Sequence, residues 1–166
     1  YTKLCLKGEG GGEGGEKLET LVKFLTYAGR LKMVSVRSLS EVEKLAFFLN
    51  LYHLMIVHGS LVLTPPQTAS SWFTYFGPGL SYAVSDDVFS LSELEHCVLR
   101  SGMNFPSLLL SKLVIPGTRY CSSYQLSVCD YRINFAMNCG GVSNPPSVPI
   151  YNPLTLDAQL TRASVY

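Results

Sequence analysis

Charge is scarce in this chain. Only 15% of its 166 residues are Asp, Glu, Lys or Arg, against 47% hydrophobic residues. The charges nearly cancel, with 13 basic and 12 acidic residues and a formal net charge of +1. There is no basic block, which excludes nucleic acid as the main ligand. A surface this poor in charge suits one partly covered by other protein chains. Cysteine is present but unpatterned. Cys5, Cys97, Cys121, Cys129 and Cys139 are odd in number and form no C-x-x-C. That argues against a disulfide scaffold and for a reducing compartment, so an intracellular setting, cytoplasmic or cytoskeletal, is expected. No cysteine pair has zinc-ligand spacing with a nearby His, and no metal or other cofactor is expected. An initiating Met is missing too. The chain begins at Tyr1 and is expected to be a piece of a longer protein in which no signal peptide is visible.

The Gly8–Glu16 run, G-E-G-G-G-E-G-G-E, is linker-like and cannot build a core. It places a boundary between a short segment with its linker, residues 1–16, and a domain at 17–166. The linker is expected to be mobile or held by a neighbour. Leu18, Leu21, Val22, Phe24 and Leu25 fall close to helical spacing over Lys17–Tyr27, with Gly29 as a stop. Ser40 and Glu43 make an S-x-x-E capping box. The helix it opens should run to His58 or beyond, apolar on nearly every face from Leu45 to Leu63. Such a stretch is long enough to invite a membrane span. Asn50, His53 and His58 fall inside it, and polar groups are costly at membrane depth, so a central buried helix is preferred.

Thr64–Gly79 reads as an irregular segment rich in aromatics, with Trp72, Phe73, Tyr75 and Phe76. Such a segment either folds onto the core or docks a partner. Leu80–Val84 and Val88–Ser90 flank an S-D-D turn and suggest a hairpin. Ser90 and Glu93 form a second capping box, opening a helix to Ser101 that buries Leu91, Leu94, Val98 and Cys97. A short helix is expected at Leu108–Val114. Strands are expected at Tyr124–Val128 and Ile133–Met137, the latter alternating Ile133, Phe135 and Met137 against Asn134, Ala136 and Asn138. Leu156–Val165 should close the chain as a helix. The fold class is therefore α+β: a central buried helix, a small mainly antiparallel sheet and surrounding helices.

Three blocks, in order, resemble one family, the domain-of-unknown-function family 547. Phe47–His58, F-F-L-N-L-Y-H-L-M-I-V-H, is similar to its F-W-x-N-x-Y-N-A block. Phe89–Arg100, F-S-L-S-E-L-E-H-C-V-L-R, is similar to its S-L-x-x-I-E-x-x-x-L-R block. Asp130–Pro146, D-Y-R-I-N-F-A-M-N-C-G-G-V-S-N-P-P, is similar to its D-x-R-I-H-F-A-L-x-C-G-x-x-S-C-P-P block. Tyr151 and the N-P-x-x-L-D-x-Q-L tail also fit. The resemblance covers Ser40 to the C-terminus. It implies a domain joined to others, such as leucine-zipper, glutaredoxin-like or signalling domains, within a larger eukaryotic protein. The family's activity is not established. Its His and Cys imply an enzyme-like site, by analogy papain- or transglutaminase-like, in which a thiolate attacks a carbonyl and an imidazole moves the proton.

This chain departs from that pattern. Asn134 stands where the resemblance calls for His, and Asn144 where it calls for the S-C-P cysteine. His53 replaces an Asn of the first block. A carboxamide is neither a general base nor a sulfur nucleophile, so these are degenerate positions and no catalytic residue is assigned. Cys139 is a substitute nucleophile only if His53 or His96 reaches it in space; otherwise it is a buried thiol at an element's end. Asn50 and His53 share a helix face, lining a cleft or tying the central helix to loops. His58, near that helix's end, is structural. Glu95 and Arg100 match motif positions, and Glu95 should take part in an ion pair or an anchoring hydrogen bond, Arg132 being one partner to consider. Asn134, Asn138 and Asn144 either bind something polar, such as a peptide backbone, or fill space. Three functions stay open. The first is a non-catalytic interaction or scaffolding module, a pseudoenzyme bound to other protein chains. The second is a cysteine hydrolase or transferase using Cys139. The third is a membrane-associated domain using Leu45–Leu63.

Overall fold

Ser40 opens the longest helix because each end of its capping box is made. Its backbone N–H donates to Glu43 Oε2 at 2.9 Å, and its Oγ accepts from the Glu43 N–H at 3.4 Å. The computed structural model describes residues 13–63, 66–77, 79–101, 124–127, 130–141, 144–145 and 147–165. Within them α1 spans Glu13–Arg30, α2 Glu41–Val62 and α3 Ala69–Phe76. A two-stranded antiparallel sheet follows, β1 at Ser81–Val84 and β2 at Asp87–Ser90, with Tyr82 opposite Phe89. Next come α4 at Leu91–Glu93, running into a π-helical segment at Leu94–Leu99, then α5 at Ile133–Ala136 and α6 at Leu156–Val165. The class is α+β.

The α2 helix is the axis of the core. Ala46, Phe48, Leu49, Leu51, Tyr52, His53, Met55, Ile56 and Gly59 are buried along it, on more than one face. It is long and apolar enough to cross a membrane, yet much of its apolar surface is spent inward, against the hairpin, the π segment and the α5 region. Phe48, Phe89 and Tyr124 make edge-to-face contacts with centroids 5.1 to 6.4 Å apart. Gly59 permits the close approach of the next elements. A Cβ there would lie 2.8 Å from both Leu80 Cδ2 and the Tyr75 hydroxyl. That hydroxyl donates to the Ile56 carbonyl at 2.9 Å, pinning α3 to α2.

The hairpin, the second capping box, the buried stripe of Leu91, Leu94, Cys97 and Val98, and the closing helix stand where the sequence pattern puts them. Five expectations are corrected. Glu13–Glu16, taken as linker, are the first turn of α1, where acidic Glu16 suits the positive helix end. That helix runs through Gly29 to Arg30 and then tightens into a 3-10 turn at Leu31–Met33. The aromatic segment is helical at α3, because Thr68 and Ser71 make a reciprocal cap. Tyr75 is buried by it and Trp72 and Phe73 are exposed.

The two expected strands after residue 120 are the larger errors. Ile133–Ala136 is a helical turn. Ile133, Ala136 and Met137 are buried while Asn134 and Phe135 are exposed, a spacing of three and four rather than two. Asp130 Oδ1 accepts from the Arg132 N–H at 3.0 Å and starts the turn. Residues 124–127 are irregular and pair with no strand among the described residues. The Ser101 hydroxyl accepts from the Leu126 N–H at 3.1 Å and shares its single proton between the carbonyls of Val98 at 2.8 Å and Leu126 at 3.2 Å. The helix expected at Leu108–Val114, residues 1–12 and Val128 lie outside the described residues.

Candidate functional site

A cleft of about 350 Å³ opens between α2, α3, the π segment and the stretch after α5. Tyr52, Trp72, Phe76, Glu95, Arg100, Asn134, Met137, Cys139 and Asn144 line it. Five of the residues singled out from the sequence therefore converge: Glu95, Arg100, Asn134, Cys139 and Asn144. Asn50, His53, His96, Arg132 and Asn138 stay outside the cleft wall.

The π segment explains how Glu95 and Arg100 come to face the same way. At about 3.6 residues per turn, positions five apart on an α-helix diverge by roughly 140°. The wider turn brings them back together. The Arg100 N–H bonds to the Glu95 carbonyl at 3.0 Å, and the Arg100 Nη1 reaches Glu95 Oε1 at 2.7 Å. Glu95 Oε2 accepts from the Tyr52 hydroxyl at 3.2 Å. Burial, and then the charge of Glu95, push the Tyr52 phenol well above its usual range, so it remains a donor. Arg132 is not a partner of Glu95. It pairs with Asp130 at 2.7 Å and Asp157 at 2.9 Å and donates to Thr161, fastening α5 to α6.

The opposite wall is braced from behind by Asn138. Its Oδ1 accepts from the Gly140 N–H at 2.9 Å, and its Nδ2 donates to the Pro145 carbonyl at 2.8 Å. Gly140 has φ +78, a left-handed conformation that a residue with a Cβ adopts at a cost. The resulting turn presents Cys139 and Asn144 side by side. Cys139 Sγ donates to Asn144 Oδ1 at 3.3 Å, and the Gly141 N–H donates to the same oxygen at 3.0 Å. Both donors require an acceptor, which fixes which end of the carboxamide is oxygen. Asn134 Nδ2 donates to the Tyr131 carbonyl at 3.1 Å. On the third side Trp72 and Phe76 stack, with centroids 5.0 Å apart.

His53 does other work. Its Nε2 accepts from the Asn138 N–H at 3.0 Å, and its ring stacks on Tyr151. Burial lowers its pKa from 6.5 to about 4, with the Ala136 carbonyl pulling weakly the other way. Asn50 closes a two-way clamp on the Tyr151 backbone at 2.8 Å in each direction. His58 bonds Tyr82 at 2.6 Å and faces the Phe24 ring. His96 is half-buried beside Glu95. Burial lowers its pKa, the Glu95 charge opposing and Arg100 reinforcing that shift. Among the described residues no group of three or more His, Cys, Asp or Glu side chains is placed to hold a metal ion.

Tyr52, Trp72, Phe76 and Met137 were not singled out as site residues. Tyr52 carried a usable signal, since it lies in the first motif block one position before His53. The aromatics of α3 carried none, because sequence spacing does not say which ring turns towards a site on other elements.

Fold and cleft together define an α+β domain whose motif blocks meet around one mixed polar and aromatic cleft. The chain belongs to the family described as "Protein of unknown function, DUF547", whose model matches residues 36–165. No curated protein and no solved structure matches the chain.

Proposed function

We propose that this domain is a non-catalytic interaction module, a scaffolding part of a larger intracellular protein, whose cleft holds an extended peptide segment of another chain without turning it over. One observation carries this reading. The two positions where the family resemblance calls for imidazole and thiol are Asn134 and Asn144, and both line the cleft. A carboxamide can hold a peptide group by donating and accepting hydrogen bonds, but it supplies neither a base nor a nucleophile near neutral pH. The thiol beside them, Cys139, donates to Asn144, while the His53 nitrogen that could accept a proton is already hydrogen-bonded to Asn138. The thiol of Cys139, not held in a disulfide, suits a reducing compartment.

The test combines binding with intact-mass measurement. Peptides selected from a random library on the domain should compete with one another and bind more weakly to Trp72→Ala, whose ring is 41% exposed and free to be trimmed. Each should be recovered uncut. An acyl adduct on Cys139 after incubation with peptide thioesters, or turnover abolished by Cys139→Ser, would establish the cysteine transferase or hydrolase instead. Failure to recover any Trp72-dependent peptide would also overturn the proposal.

A further inference from the structure

The hydrogen bonds within the cleft are unevenly distributed. Each side-chain oxygen whose bonding is set out above already accepts. Glu95 Oε1 takes Arg100 Nη1, and Glu95 Oε2 takes the Tyr52 hydroxyl. Asn144 Oδ1 takes two donors at once, the Cys139 thiol and the Gly141 N–H. The unused capacity is on the donor side. Arg100 lines the cleft with its side chain 30% exposed, and among the described residues the side-chain bond set out for its guanidinium goes to Glu95 alone. Asn144 Nδ2 has no partner among the described residues, because both bonds of that side chain go to its oxygen. A donor that faces the cleft without a protein acceptor is satisfied by water, which a ligand bringing acceptors can replace.

We infer that the cleft recognises a carboxylate carried on an otherwise apolar peptide segment, with the carboxylate on Arg100 and Asn144 and the apolar group against Trp72, Phe76 and Met137. This rests on the non-catalytic binding role proposed above and names its ligand chemistry. A guanidinium prefers the planar, two-oxygen acceptor that a carboxylate provides. An ammonium-bearing ligand is disfavoured, because the Glu95 charge is already paired with Arg100, whose guanidinium would repel a second cation. The Glu95 charge is already met by Arg100 and by the Tyr52 hydroxyl, which limits its repulsion of a second carboxylate. The aromatic wall supplies flat apolar area close to the polar floor, as peptide pockets commonly do. The carboxylate can come from a chain terminus or from an Asp or Glu side chain.

Trp72 is the single tryptophan of the chain and lies on the cleft wall, so its fluorescence reports occupancy. Three probes separate the cases: N-acetyl-Phe-Leu with a free terminal carboxylate, the same dipeptide as its amide, and N-acetyl-Phe-Asp-amide with only a side-chain carboxylate. At least one carboxylate probe should shift the fluorescence saturably and bind about tenfold or more tightly than the amide. The two carboxylate probes then distinguish terminus from side chain. Asn144→Asp keeps an oxygen for Cys139 and Gly141 while replacing the free donor with charge, and should weaken the carboxylate probes about tenfold or more. Arg100→Gln should weaken them as well. Should that variant lose its fold, Asn144→Asp decides alone. Equal binding of amide and carboxylate, or carboxylate binding indifferent to Asn144→Asp, overturns the ligand assignment and leaves the peptide-binding role standing. Absence of binding by all three probes, while library peptides still bind through Trp72, also overturns only the ligand assignment. Loss of both kinds of binding removes the two proposals together.

Discussion

Replacing His53 by Gln tests whether a neutral, buried imidazole holds the cleft's rear wall. His53 is 4% exposed, and its Nε2 accepts from the Asn138 N–H, so the neutral ring carries its proton on Nδ1. That nitrogen is buried and, among the described residues, is helped only by the pull of the Ala136 carbonyl. A second proton would put it on the nitrogen that must accept from Asn138. Burial therefore lowers the pKa from 6.5 to about 4. Because the folded value lies below the unfolded one, the unfolded chain binds the proton first as pH falls. The associated stability is fully present above about pH 6.5, declines as pH drops, and is lost once pH passes below the folded value near 4. Between pH 8 and pH 5 the loss is about 2 kcal/mol, and its limit at lower pH is about 3 kcal/mol.

A Gln at this position still offers an oxygen to the Asn138 N–H and does not titrate. It loses the stack on Tyr151, which adds a constant, pH-independent offset. Urea unfolding of both proteins at several pH values between 8 and 5 gives two stability curves. Other groups with shifted pKa, among them Glu41, Asp130, His58 and His96, act on both curves and cancel in the difference. The parent protein should lose about 2 kcal/mol relative to the variant over this range. Parallel curves would refute the assignment of His53 as a buried neutral acceptor.

Gly59→Ala should destabilise the fold by roughly 1–3 kcal/mol in the same unfolding assay, since its methyl would collide with Leu80 and the Tyr75 ring. Tyr52→Phe removes the hydroxyl donor to Glu95 and should cost about 1 kcal/mol of stability, measured as a lower urea midpoint. Ser40→Ala should cost about 1 kcal/mol by breaking the α2 cap, seen as a lower Tm. The double variant Asn134→His with Asn144→Cys should create an iodoacetamide-reactive thiol at neutral pH, while the parent protein reacts slowly; equal rates would count against the two positions acting as a former pair.

The parts of the fold that rest on local chemistry were legible in the sequence. Ser40 with Glu43 and Ser90 with Glu93 are capping boxes whatever surrounds them, and the S-D-D turn closes a hairpin by itself. The α5 turn was not legible, because four residues fit both periods. Ile133 and Met137 lie on one face of a strand and are also four apart on a helix. What decided the matter was the bond from the Arg132 N–H to the Asp130 carboxylate and the burial of Ala136, neither of which a period reveals. Residues 124–127 failed for a related reason. A strand is defined by its neighbour, and here a single Ser101 hydroxyl takes the neighbour's place.

The candidate site divides along the same line. Its residue types were readable, since the motif blocks name Glu95, Arg100, Asn134, Cys139 and Asn144. Their meeting was not, because it depends on a change of helical pitch. Had Leu91–Arg100 continued as an α-helix, Arg100 would have turned roughly 140° from Glu95, and the cleft would have lost its cation. The π segment is also the less stable backbone form, so something must hold it. Two of its supports are the Glu95 to Arg100 ion pair at 2.7 Å and the Tyr52 hydroxyl on the same carboxylate. The ion pair is thus a consequence of the widened turn and one of its fastenings. That mutual dependence adds a polar link, the Tyr52 phenol, to the apolar packing that holds the π segment on α2, so Tyr52→Phe should loosen Arg100 while leaving the core packing in place.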